Sequence, residues 1–160
     1  MAVCYDGAMP LSLTSPAFSP GGAIPTRYTC EGDDSSPALR WSDAAAGTRS
    51  FALVCADPDA PGRTFYHWAI YDLPANVSSL PEHYPPETRG RVRQAINDFG
   101  RRGYGGPCPP SGPPHHYHFA LYALTVDRLP LSAAPRCRDV EDAARKNALD
   151  RAELIGLFGR

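Results

Sequence analysis

Proline and glycine interrupt this chain too often for long helices to form. Of its 160 residues, 18 are Pro and 14 are Gly, whereas the two together make up roughly 12 % of an average protein. Proline removes a backbone N–H and clashes with the preceding helical turn, and glycine weakens a helix interior. A coiled coil or a bundle of long helices is therefore excluded. With 42 % hydrophobic residues and a net charge of −1, we expect residues 1–160 to form a single loop-rich globular domain.

Short apolar stretches lie between these breaks and predict β-strands. Their length of about 4 to 10 residues and the Gly, Pro, Asp and Ser clusters that bound them are typical of strands. The stretch SFALVCA at residues 50–56 is apolar almost throughout, which indicates burial on both faces of a sheet. We expect a mainly β sandwich and not alternating strand–helix units. The predicted strands are residues 11–14, 38–41, 50–56, 66–73, 93–96 and 117–126.

The C-terminal segment, residues 136–160, contains no proline and differs in character from the rest of the chain. Asp139 is placed to cap a helix, and acidic residues are favoured in a first helical turn. Apolar residues then recur at helical spacing, with Asn147 as a point that divides the pattern. We predict that this segment is helical and packs on the edge of the sandwich. The apolar stripe consists of Val140, Ala144, Ala148, Ala152 and Ile155.

The cysteines predict free thiols and a reducing compartment. Their number is odd, they lie far apart and none forms C-x-x-C, which argues against a zinc site or a complete disulfide framework. The first 13 residues lack the basic and apolar regions of a signal peptide, and the longest apolar runs are too short to span a membrane. We therefore expect a cytoplasmic protein with no transmembrane segment. The cysteines are Cys4, Cys30, Cys55, Cys108 and Cys137.

Two carboxylates follow the predicted strand at residues 50–56. Asp57 and Asp59 belong to the turn D-P-D-A-P, whose prolines keep the preceding residues out of the helical region. His67 and Trp68 come soon afterwards, near the start of the next predicted strand. The pattern places two acidic side chains and one imidazole near strand ends.

More histidines follow a loop that is rich in glycine and proline, residues 100–114. The sequence H-H-Y-H then begins a strand, and strand alternation puts His115 and Tyr117 on one face and His116 and His118 on the other. At most two of these histidines therefore share a site directly.

These residues leave three chemistries open. A metal site would use His67 and His115 with Asp57 or Asp59, and a nucleophilic site would use Cys108 with a histidine base. An anion pocket would use histidine donors, a tyrosine hydroxyl and the amides of glycines 105 and 106.

Four motifs in order resemble the phosphatidylethanolamine-binding protein family, in particular its bacterial and archaeal Raf-kinase-inhibitor-like branch. They are D-P-D-A-P at 57–61, H-W at 67–68, G-Y-G-G-P-C-P-P at 103–110 and H-x-Y-x-F-x-L-Y-A-L at 115–124. The resemblance extends along the chain, and residues 147–160 resemble the C-terminal helix of that branch. It implies two antiparallel sheets with Greek-key connections, a small helical complement and an anion pocket at one end of the strands. The implied pocket residues are Asp57, Asp59, His67, Gly106, Pro107, His115 and Tyr117.

Two positions depart from the branch. It usually has Arg where this chain has His116, so we expect the salt bridge of that arginine to be missing at neutral pH. It often has Asn where this chain has Asp72, and there we expect only a local effect on a turn.

The predicted function is non-catalytic binding of a small anion or phosphate-bearing head group, with a partner protein as a further regulatory target. The resemblance also allows a kinase or protease inhibitor that acts through a protein surface, and a homodimer. A small hydrolase that uses the Asp/His cluster is the remaining alternative. We predict no metal or cofactor. We also predict no nucleic-acid partner, because 16 basic and 17 acidic residues leave no basic footprint.

Overall fold

A computed structural model describes residues 9–160 of the chain. Strands account for most of the regular structure, as the sequence predicts. They are β1 (Ser12–Thr14), β2 (Leu39–Ser42), β3 (Ser50–Asp57), β4 (Phe65–Pro74), β5 (Ser79–Leu80), β6 (Arg93–Gln94), β7 (His115–Leu124) and β8 (Ala148–Phe158). One α-helix, α1, spans Cys137–Lys146, and a short 3-10 turn spans Thr26–Tyr28.

The strands form two antiparallel sheets. The larger has the order β6-β4-β3-β7-β8 and the smaller has the order β1-β2-β5. In the larger sheet, β7 returns to pair with β3 on the side opposite β4. The resulting order β7-β3-β4-β6 is that of a Greek key. The predicted mainly β fold of two antiparallel sheets is therefore confirmed.

The larger sheet is buried on both faces. On one face, Phe51 and Trp68 belong to a core that it shares with the smaller sheet, where the Trp41 ring lies 5.5 Å from the Phe51 ring. On the other face, Val54 packs in a second core with Val140 of α1. This two-sided burial explains why β3 reads as a continuous apolar run, and it confirms the interpretation of residues 50–56.

The prediction of helix through the whole C-terminal segment is wrong after residue 146. The helix ends at Lys146, and Asn147 follows it before β8 begins. Asp139 is not the capping residue. It lies in the first turn, where its carboxylate accepts the N–H of Arg136 at 2.9 Å.

Strand β8 forms because its partner β7 offers a full edge for pairing. The two strands pair from His115 with Phe158 to Leu124 with Ala148. Within β8, Ala152 and Leu154 are buried and Glu153 between them is exposed, as in any half-buried strand. Further along, a Cβ on Gly156 would collide with side chains of Phe18 and Ile24, so a glycine is needed there.

The prediction that every cysteine is a free thiol is also wrong. Cys30 and Cys108 form a disulfide, with their Cα atoms 5.4 Å apart and a sequence separation of 78. Cys55 and Cys137 are free and buried. Cys4 and most of the segment examined for a signal peptide lie outside the described residues. Among residues 9–160, no helix has the length and apolar character needed to cross a membrane.

Asp72 does more than shape a turn, contrary to expectation. Its carboxylate is fully buried, and the guanidinium of Arg93 donates to it at 2.9 and 3.2 Å. Its other oxygen accepts the backbone N–H of Leu129 at 2.9 Å. The residue has φ of 57°, a conformation that Asp and Asn tolerate better than most residues. Asp72 therefore ties the end of β4 to β6 and to the loop that precedes α1.

Removal of the Arg93 guanidinium should destabilise the protein. Arg93→Met leaves the Asp72 carboxylate buried without its counter-charge, so we expect a loss of about 3 kcal/mol in the free energy of unfolding. Urea denaturation measures this loss. The double variant Asp72→Asn/Arg93→Met also removes the unpaired charge and should recover part of the lost stability. A loss below about 1 kcal/mol in the single variant would contradict the prediction.

Candidate functional site

A cavity of about 140 Å³ opens where β3, β4 and β7 meet at one end of the larger sheet. This volume is several times the roughly 30 Å³ that a water molecule occupies in the liquid. Strand ends contribute its polar side chains, and two loops contribute apolar ones. The lining residues are Asp57, Ala60, Pro61, Phe65, His67, Phe99, Cys108, Pro109, Pro110, His115 and Tyr117.

Asp57 and His115 form a hydrogen-bonded pair in this cavity. The Nδ1 atom of His115 lies 2.7 Å from Oδ2 of Asp57. The other carboxylate oxygen accepts the backbone N–H of Asp59 at 2.8 Å, so both oxygens act as acceptors. An ionised carboxylate therefore requires His115 to carry a proton on Nδ1. This bond leaves Nε2 of His115 available to a ligand.

His67 is buried, and its environment fixes its tautomer. Its Nδ1 lies 2.7 Å from the carbonyl oxygen of Gly105. A carbonyl oxygen only accepts, so Nδ1 is the donor and Nε2 of the neutral ring is an acceptor. Burial lowers the pKa of His67, against the opposing effect of the Gly105 carbonyl. The ring packs edge-on against Tyr117, at 5.3 Å between centroids. His67 therefore contributes an uncharged imidazole.

We expect this burial to make the stability of the protein depend on pH. The folded-state pKa of His67 lies below its usual value of about 6.5, so the unfolded chain takes up the proton first as pH falls. Below about pH 6.5 the free energy of unfolding therefore falls, by up to about 1.4 kcal/mol for each pH unit on account of His67. Urea denaturation at several pH values measures the slope. His67→Asn should give a shallower slope in the same interval, and an identical slope would contradict the assignment.

Tyr117 has a buried hydroxyl that finds no partner in the described part of the chain. The residue is 1 % exposed, and its hydroxyl makes no hydrogen bond to any of residues 9–160. Burial raises the pKa of Tyr117, and the nearby Asp57 carboxylate raises it further, so the phenol stays protonated. Buried polar groups in folded proteins nearly always have partners, and an exception calls for an explanation.

Apolar side chains form the remaining walls. Phe65 and Phe99 pack edge-on, with 4.8 Å between their centroids, and Phe99 is 42 % exposed. Pro109 and Pro110 line the cavity from the loop at 100–114. Phe65 and Phe99 are not among the predicted site residues, because a phenylalanine has no titratable or hydrogen-bonding group. Their positions beside His67 and before the glycine-rich loop were the available signals.

Asp59 does not line the cavity. Its carboxylate accepts the backbone N–H of His116 at 2.8 Å and lies 2.7 Å from the Nδ1 of that residue. These bonds lower the pKa of Asp59. That the salt bridge of an arginine is missing here at neutral pH stays a prediction. The contact itself is present, because a neutral imidazole can still donate from Nδ1 to the Asp59 carboxylate. On the same outward face, His118 pairs with Glu153 at 3.2 Å.

Gly106 and Pro107 lie behind the cavity wall. The N–H of Gly106 is already used, since it donates to the carboxylate of Asp34 at 2.8 Å. The carbonyl of Pro107 accepts the N–H of Cys30 at 3.0 Å. A Cβ at position 106 would collide with the carbonyl of Tyr28, which explains the glycine. These residues support the loop and do not contact the cavity.

Two of the chemistries left open by the sequence lose their support. Within residues 9–160, no group of three or more His, Cys, Asp or Glu side chains could hold a metal ion. Cys108 is bonded to Cys30 and offers no thiol nucleophile. The cavity then brings together one carboxylate, two imidazoles and a phenol, set in apolar walls.

The fold and the cavity define a class: β-sandwich proteins with a Greek-key sheet and a small cavity at the strand ends. Comparisons with known proteins place the chain in one family of this class. The family model described as phosphatidylethanolamine-binding protein matches residues 14–159. A UPF0098 protein of Aquifex aeolicus is 45 % identical over 157 residues, which cover 96 % of this chain and 91 % of that protein. The putative lipoprotein LppC of Mycobacterium tuberculosis is 38 % identical over 154 residues, covering 94 % and 73 %.

A solved structure shows the same fold. The crystal structure of Escherichia coli YbcL, described as a member of the mammalian PEBP family, matches with a TM-score of 0.89 and 33 % identity. The match covers 95 % of this chain and 99 % of that one. The chain belongs to the phosphatidylethanolamine-binding protein family, which confirms the resemblance drawn from its motifs.

Proposed function

We propose that the cavity binds a phosphate-like anion or the phosphate of a larger head group, without catalysis. The observation that carries the proposal is the buried hydroxyl of Tyr117, a cavity-lining residue. Nothing among residues 9–160 forms a hydrogen bond with it. An anion oxygen in the cavity would satisfy this donor and would also meet His115, whose Nδ1 is already engaged by Asp57.

The hydrogen-bonding groups favour an anion that keeps a proton. Tyr117 is a donor, whereas Nε2 of neutral His67 can only accept. A phosphate monoanion or a protonated phosphomonoester presents both an oxygen acceptor and a P–OH donor. The apolar walls of Phe65 and Phe99 would lie against the part of the ligand that carries no charge.

Because of the Asp57 carboxylate, the binding of an anion in the cavity should depend on pH. A second negative charge beside it is repulsive unless a proton is added to the His115 imidazole or to the anion. Binding should therefore be accompanied by proton uptake, and the affinity should decrease as pH rises.

Calorimetric titration with inorganic phosphate tests this dependence. We expect the association constant to fall from about pH 5 to about pH 8, the interval in which histidine usually changes charge. Titrations in buffers of different ionisation enthalpy should also report proton uptake. An affinity that is flat or rises over this interval would overturn the proposed proton linkage.

NMR titration locates the site. Inorganic phosphate and phosphoethanolamine should both shift the imidazole signals of His67 and His115, and should leave His118 on the opposite face unchanged. Shifts confined to other residues, or no shift at all, would refute the pocket assignment. Comparison of the two ligands shows whether the head group adds affinity beyond the phosphate.

The non-catalytic part of the proposal has a separate test. The His115–Asp57 pair resembles a general base and the group that orients it, but Cys108 is bonded to Cys30 and supplies no thiol beside it. We expect esterase and phosphatase assays to give the same background rate for the wild type and for Asp57→Asn. A wild-type rate clearly above that variant would indicate a hydrolase.

A protein partner, such as a kinase or protease, and a homodimer stay predictions from the resemblance. His115→Ala should weaken partner capture only if the partner uses the pocket. The cytoplasmic location also stays a prediction. Its argument from free thiols no longer applies, because Cys30 and Cys108 are bonded, and a relative carries the name putative lipoprotein.

A further inference from the structure

We propose that the Cys30–Cys108 disulfide is a thiol–disulfide exchange site that sets the affinity of the neighbouring cavity. The proposal rests on the proposed function for its readout of affinity. Its partner is a dithiol reductant, and its effect is on the cavity wall at residues 108–110.

The position of the bond links it directly to the cavity. Cys108 is itself a lining residue, and it is followed by two further lining residues, Pro109 and Pro110. Cys30 lies on the opposing segment, just after the 3-10 turn. Both cysteines are exposed, so a reductant can reach the bond, whereas Cys55 and Cys137 are buried.

The loop around Cys108 has few other means of attachment. Pro107, Pro109 and Pro110 have no backbone N–H to donate. The carbonyl of Pro107 accepts from Cys30 at 3.0 Å, and that of Pro109 accepts from the Arg160 side chain at 2.7 Å. At the far end of the loop, the Gly112 N–H donates to the Arg160 carbonyl at 3.1 Å. The disulfide joins the loop covalently to the segment of Cys30, in addition to these weaker contacts. Its cleavage should leave residues 104–107 in place and allow residues 108–112 to move.

The segment before Cys108 is held independently of the disulfide. The hydroxyl of Tyr104 donates to the carbonyl of Tyr28 at 2.7 Å, and Gly106 donates to Asp34 at 2.8 Å. The loop therefore keeps its anchor when the sulfur atoms separate. Reduction should change one wall of the cavity and leave the fold unchanged.

The exchange itself is ordinary thiol chemistry. A thiolate of the dithiol attacks one sulfur of the disulfide and releases the other cysteine as a thiolate, which takes up a proton. The second thiol of the reagent then loses its proton and displaces the remaining cysteine. The reagent becomes a disulfide, and Cys30 and Cys108 both become thiols. Arg160 places a cation between the two segments, 4.0 Å from Glu31 and bonded to Pro109, where it would stabilise a departing thiolate.

Oxidised protein should bind more tightly than reduced protein. A wall that is held in its bound position loses less freedom when the ligand enters. We expect reduction to weaken inorganic phosphate binding by about three- to tenfold.

Titration of the oxidised and the dithiothreitol-reduced protein with inorganic phosphate measures this effect. The matched control is Cys30→Ser/Cys108→Ser, which should bind like the reduced protein and should not respond to the reductant. Equal affinities of the two redox forms would overturn the proposal, and so would a response of the double variant to the reductant.

Hydrogen exchange separates this proposal from the proposed function. Reduction should speed exchange at the amide of Gly112, which donates to the Arg160 carbonyl at 3.1 Å, and leave the β3 amides of Ala52 and Val54 protected. Faster hydrogen exchange in the loop, with no phosphate binding to either redox form, would overturn the proposed function and the claimed effect on affinity. The thiol–disulfide exchange site would then still stand. Unchanged loop exchange, or loss of protection in β3, would overturn the exchange site, since the bond would then have no effect or would hold the whole fold.

Discussion

His115→Ala should weaken the binding of inorganic phosphate by about 30-fold. The substitution removes the imidazole that would donate to the anion and leaves the buried Asp57 carboxylate uncompensated beside it. A hydrogen bond to a charged group contributes roughly 1.5 to 3 kcal/mol, and about 2 kcal/mol corresponds to the stated loss. Calorimetry at about pH 6, where we expect binding to be measurable, gives the ratio of the two affinities.

His116→Ala is the matched control for this experiment. His116 is adjacent in sequence, is exposed and also bonds to an aspartate, but it lies on the opposite face of β7. We expect it to change the affinity by less than about twofold, as for most surface substitutions. Equal losses in the two variants would show that the effect is a general disturbance of the strand end. An unchanged affinity in His115→Ala would remove His115 from the site.

Loss of the disulfide should lower the free energy of unfolding by about 4.5 kcal/mol. The bond joins residues 78 positions apart, so it closes a long loop in the unfolded chain and restricts its entropy. The chain-entropy relation for a loop of this length predicts that value, and engineered cases often reach less. Urea denaturation of Cys30→Ser/Cys108→Ser against the oxidised wild type measures the difference.

The reduced wild type is the control for side effects of the two serines. Its stability should match that of the double variant, because Cys55 and Cys137 are free in both proteins. A difference of less than about 1 kcal/mol between oxidised and reduced protein would contradict the entropic argument.

The sequence predicts the larger sheet well because its central strands are apolar on both sides. The run at residues 50–56 and the strand β3 (Ser50–Asp57) nearly coincide. Strand β8 could not be predicted in this way. Its alanines at 148 and 152 also fit a helical repeat, and its conformation is decided by pairing with β7, a partner that local spacing does not reveal.

The polar part of the site could be predicted because each residue lies at or near the end of a strand. Asp57, His67, His115 and Tyr117 are at strand ends that converge on one cavity. The disulfide could not be predicted, since no local spacing connects cysteines 78 residues apart. Gly106 illustrates a different limit. A glycine signals close approach, but the sequence does not say whether a ligand or another part of the backbone comes close, and here it is the carbonyl of Tyr28.

Successive side chains of β7 point to opposite faces, so its histidines are divided between the cavity and the outer surface. His115 and Tyr117 face the cavity, whereas His116 and His118 bond to acidic residues at the outer surface. A substitution at an even-numbered position of this strand end therefore alters what the exterior presents and leaves the cavity wall as it was. The histidine at 116, where the Raf-kinase-inhibitor-like branch usually has arginine, is such a change. The outer surface of this strand end can thus change while the interior of the cavity stays the same.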